Sequence, residues 1–154
     1  MTISNDPHAS SRLTDARIIE AERHDDPKGK LAVFEKAENG MSPFEVKRVF
    51  YLYDVPADSE RGGHSHFNGQ ELIIAIAGSF DVELDDGVER KRWRLDRPYR
   101  ALYIPTGLWR TIDNFSGGAV CLVLTSTNYS EDDYVRSYER FVELTAPKRI
   151  KNNR

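Results

Sequence analysis

The sequence predicts an all-β protein, a barrel or sandwich, with one helix near the C-terminus. Short runs of β-branched and aromatic residues are separated by turn-forming residues at intervals of about eight to twelve residues. One of these runs alternates strictly between apolar and acidic residues, and apolar residues near the C-terminus instead recur at helical spacing. With 154 residues, the chain is long enough for one domain with one sizeable hydrophobic core.

Three strands are predicted in the first third of the chain. Residues 16–22 and 30–36 are short strands separated by the turn-forming residues 25–29. Residues 44–53 are rich in aromatic residues and have strong β-propensity. Because side chains alternate along a strand, Arg48 is predicted to lie on one face of this strand and Tyr51 on the other.

The rest of the domain is predicted to be a series of short strands. Residues 72–76 are continuously apolar, which is typical of a strand that is covered on both faces. Residues 79–84 alternate between apolar and acidic side chains, and the Asp-Asp-Gly sequence that follows is a hairpin turn. The remaining predicted strands are 88–95, 101–104, 108–112 and 119–125.

One helix is predicted at about residues 131–144. Ser130 can cap it, three acidic residues follow where a helix dipole favours them, and aromatic residues then recur at helical spacing. The chain is thus predicted to consist of a flexible N-terminus (1–14), a single domain (15–146) and a basic, solvated tail (147–154).

Composition argues against several classes of protein. The net charge is −3 and the isoelectric point is about 5.8, which argues against nucleic acid or an anionic membrane as the main partner. No apolar run approaches the roughly 20 residues that span a bilayer, and the polar N-terminus lacks a signal-peptide core. Cys121 is the single cysteine, so we expect it to be buried and the protein to be cytoplasmic. His8 and His24 lie in polar stretches and are expected to be exposed.

The other two histidines form the most informative pattern in the sequence. His64 and His66 are one residue apart, so both side chains project to the same face of an extended strand. Glu71 has the opposite parity and can join that face only if the strand breaks, for which Asn68-Gly69 is a good turn signal. The sequence therefore predicts a strand, a turn and a second strand that bring two imidazoles, and across the turn one carboxylate, to one place.

This stretch resembles the first motif of the cupin family. That motif runs histidine, any residue, histidine, three or four residues, glutamate, six residues, glycine. His64, His66, Glu71 and Gly78 match it. The glycine that usually stands six residues before the first histidine is replaced by Asp58.

The second cupin motif is matched in part. It combines a proline and a glycine with a later histidine and asparagine, and Pro105, Gly107 and Asn114 occupy three of these positions. Arg110 stands at the position of the histidine. The two motifs together imply a cupin jelly-roll barrel.

A closer resemblance covers nearly the whole chain. Five segments occur in the order typical of the sugar 3,4-ketoisomerases: FEVKRVFYLYDVP, RGGHSH, AGSFDVELDDG, LYIPTGLW and LVLTSTNYSEDDYVRSYERF. Members of that family act on dTDP-4-keto-6-deoxyglucose in the biosynthesis of unusual deoxysugars for lipopolysaccharide, S-layer glycans or antibiotics. The resemblance implies a dTDP-linked sugar as ligand, a homodimer with exchanged N-terminal strands, and catalysis without a metal or other cofactor.

The chain departs from that family at two positions. The family usually has glutamine at the position of Glu71 and histidine at the position of Arg110. The glutamate is typical of metal-binding cupins, whereas the arginine removes a metal ligand and a pocket histidine. Opposite charges that are introduced together often compensate each other, so Glu71 either pairs with Arg110 across the barrel or serves as a ligand or acid–base group.

Histidine chemistry suits the isomerisation that the resemblance implies. Moving a keto group from C4 to C3 requires removal of the C3 proton, formation of an enediol and reprotonation at C4. A base with a pKa near 7 suits both transfers, and the ordinary pKa of histidine is about 6.5. We predict that His66 is the catalytic base and that His64 assists it.

Other polar residues are candidates for the remaining roles. The developing oxyanion needs a hydrogen-bond donor, and the candidates are Tyr51, Tyr103 and Arg110. Arg48 and Arg61 are the candidates for binding the diphosphate, because the guanidinium fork matches phosphate geometry.

The residues leave three other functions open. A close relative could epimerise a related nucleotide-linked keto sugar. Two histidines and a carboxylate could hold iron or another divalent ion, although a cation at Arg110 is unfavourable beside a metal. A non-catalytic protein could bind the nucleotide sugar and leave it unchanged. Trp109 and Tyr103 either line the pocket or pack in the core or in a dimer interface.

Overall fold

The computed structural model describes residues 5–36 and 42–152, and the expected flexible ends at 1–4 and 153–154 lie outside these ranges. The described residues form one α-helix, α1 (Tyr138–Asn152), and twelve strands. The strands are β1 (Arg17–Glu20), β2 (Glu22–Asp26), β3 (Gly29–Val33), β4 (Arg48–Leu52), β5 (Arg61–His66), β6 (Glu71–Ala77), β7 (Phe80–Asp85), β8 (Arg90–Leu95), β9 (Arg100–Ile104), β10 (Trp109–Asp113), β11 (Val120–Thr125) and β12 (Tyr134–Val135).

Ten of these strands form two antiparallel sheets that enclose the core. One sheet has the order β1-β9-β6-β11-β4 and the other has the order β12-β5-β10-β7-β8. Apolar residues from both sheets meet between them, including Ile73, Phe80, Leu84, Leu102 and Ile104, which are all almost completely buried. The described chain is therefore a cupin-like all-β fold with one helix near the C-terminus, as predicted.

Strand β6 confirms the interpretation of its continuous apolar run. Ile73 and Ala75 face the core between the sheets, whereas Leu72 and Ile74 belong to a second cluster on the opposite face of the same sheet. That second cluster also contains Phe44 and Tyr103. Because both faces are covered, the strand needs no polar face, which explains why its sequence does not alternate.

The helix begins later than predicted. Glu131–Asp133 forms a 3-10 turn, and Tyr134–Val135 then pairs with Ser65 and His66 as strand β12. Ser130 makes no side-chain capping bond to this turn. The prediction was wrong here because local periodicity cannot reveal that Tyr134 hydrogen-bonds to a strand far away in the sequence.

The helix also ends later than predicted. It continues through Pro147 to Asn152, into residues that the sequence analysis assigned to a solvated basic tail. Lys148 donates hydrogen bonds to the hydroxyl of Ser11 (2.7 Å) and to the backbone carbonyl of Asp86 (2.5 Å). The basic residues of this segment thus hold the helix against the domain.

The N-terminal segment lies against the domain over residues 5–15. It contains two 3-10 turns, and the imidazole of His8 is fully buried there, so the prediction that His8 is exposed was wrong. A local view of the sequence failed because the partners of His8 are the distant residues Ser65, Phe67 and Phe141. His24 is exposed, as predicted.

A second hairpin lies outside the two large sheets. Strands β2 and β3 pair with each other, whereas β1 pairs with β9 of the same chain. A groove of about 660 Å³ separates the hairpin from the outer face of the first sheet, where it is lined by Phe34, Ile74 and Ile76 among others. Among the described residues, no helix is long and apolar enough to cross a membrane.

Candidate active site

The two histidines of the site lie at the end of β5, and the glutamate begins β6. The rings of His64 and His66 are 4.8 Å apart between centroids, on the same side of the strand. Strand β5 ends at His66 and β6 begins at Glu71, so the predicted turn breaks the alternation. The side chains of His66 and Glu71 consequently face each other, with 3.7 Å between Nε2 and Oε1.

A cleft of about 400 Å³ opens beside these residues. His64, Glu71 and Arg110 line its polar part, and residues of the core line the rest. Phe50 and Leu52 of β4 are among the apolar lining residues, together with Ile73, Ile112 and Val123. The cleft therefore has apolar walls and a polar end, which is typical of a small-molecule site.

His66 lies deeper than His64 and is held by Asp133. Only 3% of the His66 surface is exposed, and its Nδ1 lies 3.0 Å from Oδ2 of Asp133. The carboxylate also accepts hydrogen bonds from the backbone N–H groups of Asn68 (2.6 Å) and Gly69 (3.1 Å). Because an ionised carboxylate can only accept, Nδ1 of His66 carries the proton and Nε2 carries the lone pair.

That His66 is the base stays a prediction, and the two histidines differ in their access to the cleft. Nε2 of His66 and Nδ1 of His64 are both buried and have no hydrogen-bond partner among the described residues. His64 as a whole is partly exposed and lines the cleft. His64 therefore borders the cleft directly, and His66 lies deeper in the protein.

Glu71 and Arg110 form a buried ion pair at the polar end of the cleft. The guanidinium donates to Oε1 of Glu71 and, through Nη2, to the backbone carbonyl of Leu108 (3.0 Å). Glu71 is 3% exposed and Arg110 is 1% exposed. Of the alternatives that the sequence left open, the structure thus shows the compensating pair across the two sheets.

Burial and Arg110 keep both imidazoles neutral. Burial is the main cause that lowers the pKa of His64, to about 3, and the positive charge of Arg110 is the next largest cause. The same two causes, in the same order, lower the pKa of His66 far below its usual range. Neutral imidazoles can accept a proton at physiological pH, but a pKa of about 3 makes His64 a weaker base than the value near 7 that suits both transfers.

Tyr134 and three arginines complete the surroundings of the histidines. The ring of Tyr134 lies 4.9 Å from the ring of His64 and 4.4 Å from that of His66. Arg48 donates to the Tyr134 hydroxyl (3.3 Å) and lies over the ring of Phe50. Arg61 and Arg136 line the cleft together with Glu60, and Arg136 is ion-paired with Glu131.

Three of the predicted site residues lie elsewhere. Tyr51 is 59% exposed on the outer face of β4, beside Tyr53, because Phe50 and Leu52 occupy the face that lines the cleft. Tyr103 lies in the second apolar cluster, where its hydroxyl donates to Gln70 (2.6 Å). Trp109 packs against the aromatic rings of α1. The predictions of Tyr51 as catalytic, and of Tyr103 and Trp109 as substrate-binding, are therefore not supported by this geometry.

Three residues of the site were missed by the sequence analysis. All three were assigned to the predicted helix, whereas the structure brings Asp133 and Tyr134 to the histidines and Arg136 to the cleft. The available signal was the resemblance itself, because the segment SEDDYVRSYERF belongs to it. Residue spacing alone gave no signal for this contact, because Asp133 is 67 residues from His66 in the sequence.

The histidines and Glu71 could also hold a metal ion. One ligand atom from each of His64, His66 and Glu71 lies within 4.8 Å of the others. Arg110, however, occupies an oxygen of Glu71 and adds a positive charge beside any cation. The three possible metal ligands are thus present, but the guanidinium of Arg110 is already bound to the carboxylate of Glu71.

Comparison with known proteins agrees with the fold. Residues 14–146 match the family model described as FdtA, WxcM-like, C-terminal. The chain belongs to this family. A TDP-4-oxo-6-deoxy-alpha-D-glucose-3,4-oxoisomerase from Aneurinibacillus thermoaerophilus is 35% identical over 130 residues, which are 84% of this chain and 92% of that protein.

Solved structures of 3,4-ketoisomerases are similar to the whole domain. The enzyme from Helicobacter canadensis has a TM-score of 0.82 at 36% identity, covering 86% of this chain and 98% of its own. A histidine-to-asparagine mutant of QdtA from Thermoanaerobacterium thermosaccharolyticum, in complex with TDP-4-keto-6-deoxyglucose, has a TM-score of 0.82 at 33% identity and covers 87% of this chain and 96% of its own.

The buried ion pair predicts strong coupling between two substitutions. Glu71→Gln leaves a buried guanidinium without its counter-charge, and Arg110→His leaves a buried carboxylate, so each should lower the free energy of unfolding by about 3 kcal/mol. The double variant should lower the free energy of unfolding by clearly less than the sum of the two single losses, as measured by urea unfolding. The exposed pair Glu20 and Arg100 is the control and should show coupling near zero. Additive costs at Glu71 and Arg110 would contradict the prediction.

The low pKa of His64 predicts a loss of stability in acid. Between about pH 6.5 and the folded-state pKa of about 3, the unfolded chain binds a proton at His64 that the folded chain does not bind. As the pH is lowered through this window, the free energy of unfolding should therefore decrease. The decrease should be smaller in His64→Gln. Urea unfolding of both proteins between about pH 7 and pH 4 measures the difference; parallel curves would show that His64 titrates normally.

Proposed function

We propose that this protein is a sugar-nucleotide 3,4-ketoisomerase that converts TDP-4-keto-6-deoxyglucose, or a close relative of it, into the 3-keto isomer. The observation that carries the proposal is the cleft in which neutral His64 faces an ion-paired Glu71 and Arg110. Membership of the family and the 3,4-ketoisomerase relatives support the reaction class.

The reaction needs proton transfers and no external oxidant. His64 removes the proton from C3, and the electron pair left behind forms the C3–C4 double bond. The carbonyl oxygen on C4 takes up a proton at the same stage, which gives the enediol. A proton is then added at C4 and the hydroxyl proton is lost from the oxygen on C3, so the keto group moves and the composition stays unchanged. General acid–base catalysis of this kind contributes about 100-fold to 10,000-fold in rate.

Groups around the cleft suit the charges of the proposed substrate. The Tyr134 hydroxyl, which accepts a hydrogen bond from Arg48, is our candidate donor for the oxyanion that develops at C4, because Tyr134 lines the cleft. Arg61 and Arg136 on the rim are positioned for the diphosphate. Tyr134 thus takes the role that the sequence analysis gave to Tyr51 or Tyr103, and Arg61 keeps its predicted role.

His66 and Asp133 support the base from below. Asp133 fixes the tautomer and the orientation of His66, whose ring lies 4.8 Å from the ring of His64. A fixed neighbour limits the directions in which His64 can turn, which keeps its lone pair aimed at the cleft.

We also propose a cytoplasmic homodimer with exchanged N-terminal strands. The exchanged strands would be β2 and β3, because β1 pairs with β9 within the chain. The outer face of the first sheet exposes Val49, Tyr51, Tyr53 and Ile76, which is a large apolar surface for a monomer. The β2–β3 hairpin pairs with neither large sheet in the described chain and borders a groove beside that face. Light scattering should give twice the chain mass of 17.6 kDa; the mass of one chain would contradict the dimer.

The activity is tested by an NMR time course of TDP-4-keto-6-deoxyglucose with the protein in D2O. A 3-keto product that carries deuterium at C4 is expected, because imidazole protons exchange with solvent. His64→Asn should lower the rates of C3 exchange and of product formation by about 100-fold or more. His24→Asn, at an exposed histidine outside the cleft, is the matched control and should react as the wild type does.

Other outcomes of this experiment identify the alternatives. Exchange at C3 without a 3-keto product indicates an epimerase or a different keto sugar. Binding of TDP without any exchange, across several nucleotide-linked keto sugars, indicates a binding protein. Turnover that depends on a divalent ion and stops with a chelator indicates the metal-dependent function that the cluster of His64, His66 and Glu71 allows.

The role of Asp133 predicts a kinetic effect that its neighbour lacks. Asp133→Asn removes the negative charge beside Nδ1 of His66. It also replaces a carboxylate oxygen with an amide N–H group, which cannot accept the backbone N–H groups that Asp133 binds. We therefore expect kcat to fall about tenfold or more, with little change in KM. Asp132→Asn is the matched control because Asp132 is exposed. Equal kcat values for the two variants would show that Asp133 is dispensable for catalysis.

A further inference from the structure

We propose that His8 is a positioning residue, which acts through Ser65 to fix the end of β5 that carries both imidazoles of the cleft. The kinetic part of this inference rests on the proposed function. The structural part rests only on contacts between the N-terminal segment and β5.

Ser65 connects the N-terminal segment to the two histidines. It stands between His64 and His66, so strand alternation directs its side chain away from the cleft. Its hydroxyl lies 2.7 Å from Nε2 of His8, and both side chains are fully buried. Behind this bond, Nδ1 of His8 lies 2.7 Å from a carboxylate oxygen of Asp6.

The hydrogen bonds in this chain of residues have one direction. The carboxylate of Asp6 accepts from Nδ1, so Nε2 of His8 accepts from the hydroxyl of Ser65. Burial lowers the pKa of His8, which favours this neutral tautomer, although Asp6 opposes the shift. A buried bond of this kind fixes both partners, because breaking it would leave two polar atoms without water.

The same N-terminal segment also braces His66 through Gly107. The N–H of Gly107 donates to the carbonyl of His66 (2.9 Å), and the hydroxyl of Ser11 donates to the carbonyl of Gly107 (2.9 Å). Gly107 has a φ of +81°, and a Cβ at this position would lie 2.7 Å from the carbonyl oxygen of Pro7. The backbone of His66 is therefore supported from a second side.

The supporting segment is itself held between β5 and α1. The ring of His8 packs edge-on against Phe67 (4.9 Å) and against Phe141 of α1 (5.9 Å). Lys148 of α1 donates to Ser11. Asp6, His8 and Lys148 all lie outside residues 14–146 that match the family model, so this support is built from additional residues of the chain.

Ser65, His8 and Asp6 resemble a hydrolytic triad in their contacts but do not act as one. The Ser65 surface is 0% exposed, and Ser65 is absent from the residues that line the cleft. A nucleophile that no substrate can reach has no covalent chemistry to perform. The contribution of these residues is therefore to the position of the neighbouring histidines.

The test compares His8→Phe and Ser65→Ala with the wild type in the same assay. His8→Phe keeps a ring against Phe67 and Phe141 but loses both hydrogen bonds, and Ser65→Ala loses only the hydroxyl. Each should lower kcat about tenfold or more while KM changes by less than about twofold. The double variant should be no slower than the slower single variant, because both remove the same bond. His8→Gln, which restores an acceptor for Ser65, should recover part of the loss.

A general loss of stability is distinguished by a matched control. Phe115→Leu truncates a buried ring that packs against Phe80 in another part of the core. It should lower Tm without changing kcat per folded molecule. If His8→Phe and Ser65→Ala likewise lower Tm alone, the positioning role is overturned.

A second readout does not depend on activity. The imidazole NMR signals of His64 and His66 should shift in Ser65→Ala, which removes too little to prevent folding, and stay in place in Phe115→Leu. Unchanged histidine signals in Ser65→Ala would overturn the positioning role. A wild-type protein without turnover would refute the proposed function, while the NMR signals would still decide whether His8 and Ser65 position the histidines.

Discussion

The geometry of the site depends on the turn between β5 and β6 and on the carboxylate that holds it. The side-chain carboxylate of Asp133 accepts hydrogen bonds from the backbone N–H groups of Asn68 and Gly69. Its backbone carbonyl accepts a hydrogen bond from the N–H group of Phe67. A Cβ at Gly69 would lie 2.9 Å from the same carboxylate, so this close approach requires glycine. With the turn fixed in this way, the last residue of one strand faces the first residue of the next. The distance between His66 and Glu71 follows from that constraint.

Most of the fold could be predicted because the local pattern of apolar and polar residues in most strands indicates which faces of the strand are buried. The continuous apolar run of β6 reflects two covered faces, and the alternation in 79–84 reflects one. The termini could not be predicted in the same way. The structure of residues 131–137 depends on a pairing of Tyr134 with His66, and the order of the N-terminal segment depends on contacts of His8 with Ser65 and Phe141. These contacts join residues that are far apart in the sequence.

The candidate site could be predicted where its residues are close in sequence. Spacing and parity were sufficient to place His64, His66 and Glu71 together, and opposite charge suggested that Glu71 pairs with Arg110. Residue type alone was misleading for the tyrosines. Tyr51 has suitable chemistry, but its parity places it on the outer face of β4, while Tyr134 reaches the histidines from the other end of the chain.

The buried pair of Glu71 and Arg110 has a consequence for the evolutionary history of the cleft. A chain with glutamine and histidine at these positions could not acquire the two charges in separate neutral steps. Whichever residue changed first would have placed an uncompensated charge in the interior, and marginally stable proteins tolerate few changes of that size. A single change at either position therefore requires a reserve of stability elsewhere in the molecule. Extra contacts at the chain termini, such as those of Lys148 with Ser11 and Asp86, are one source of such a reserve.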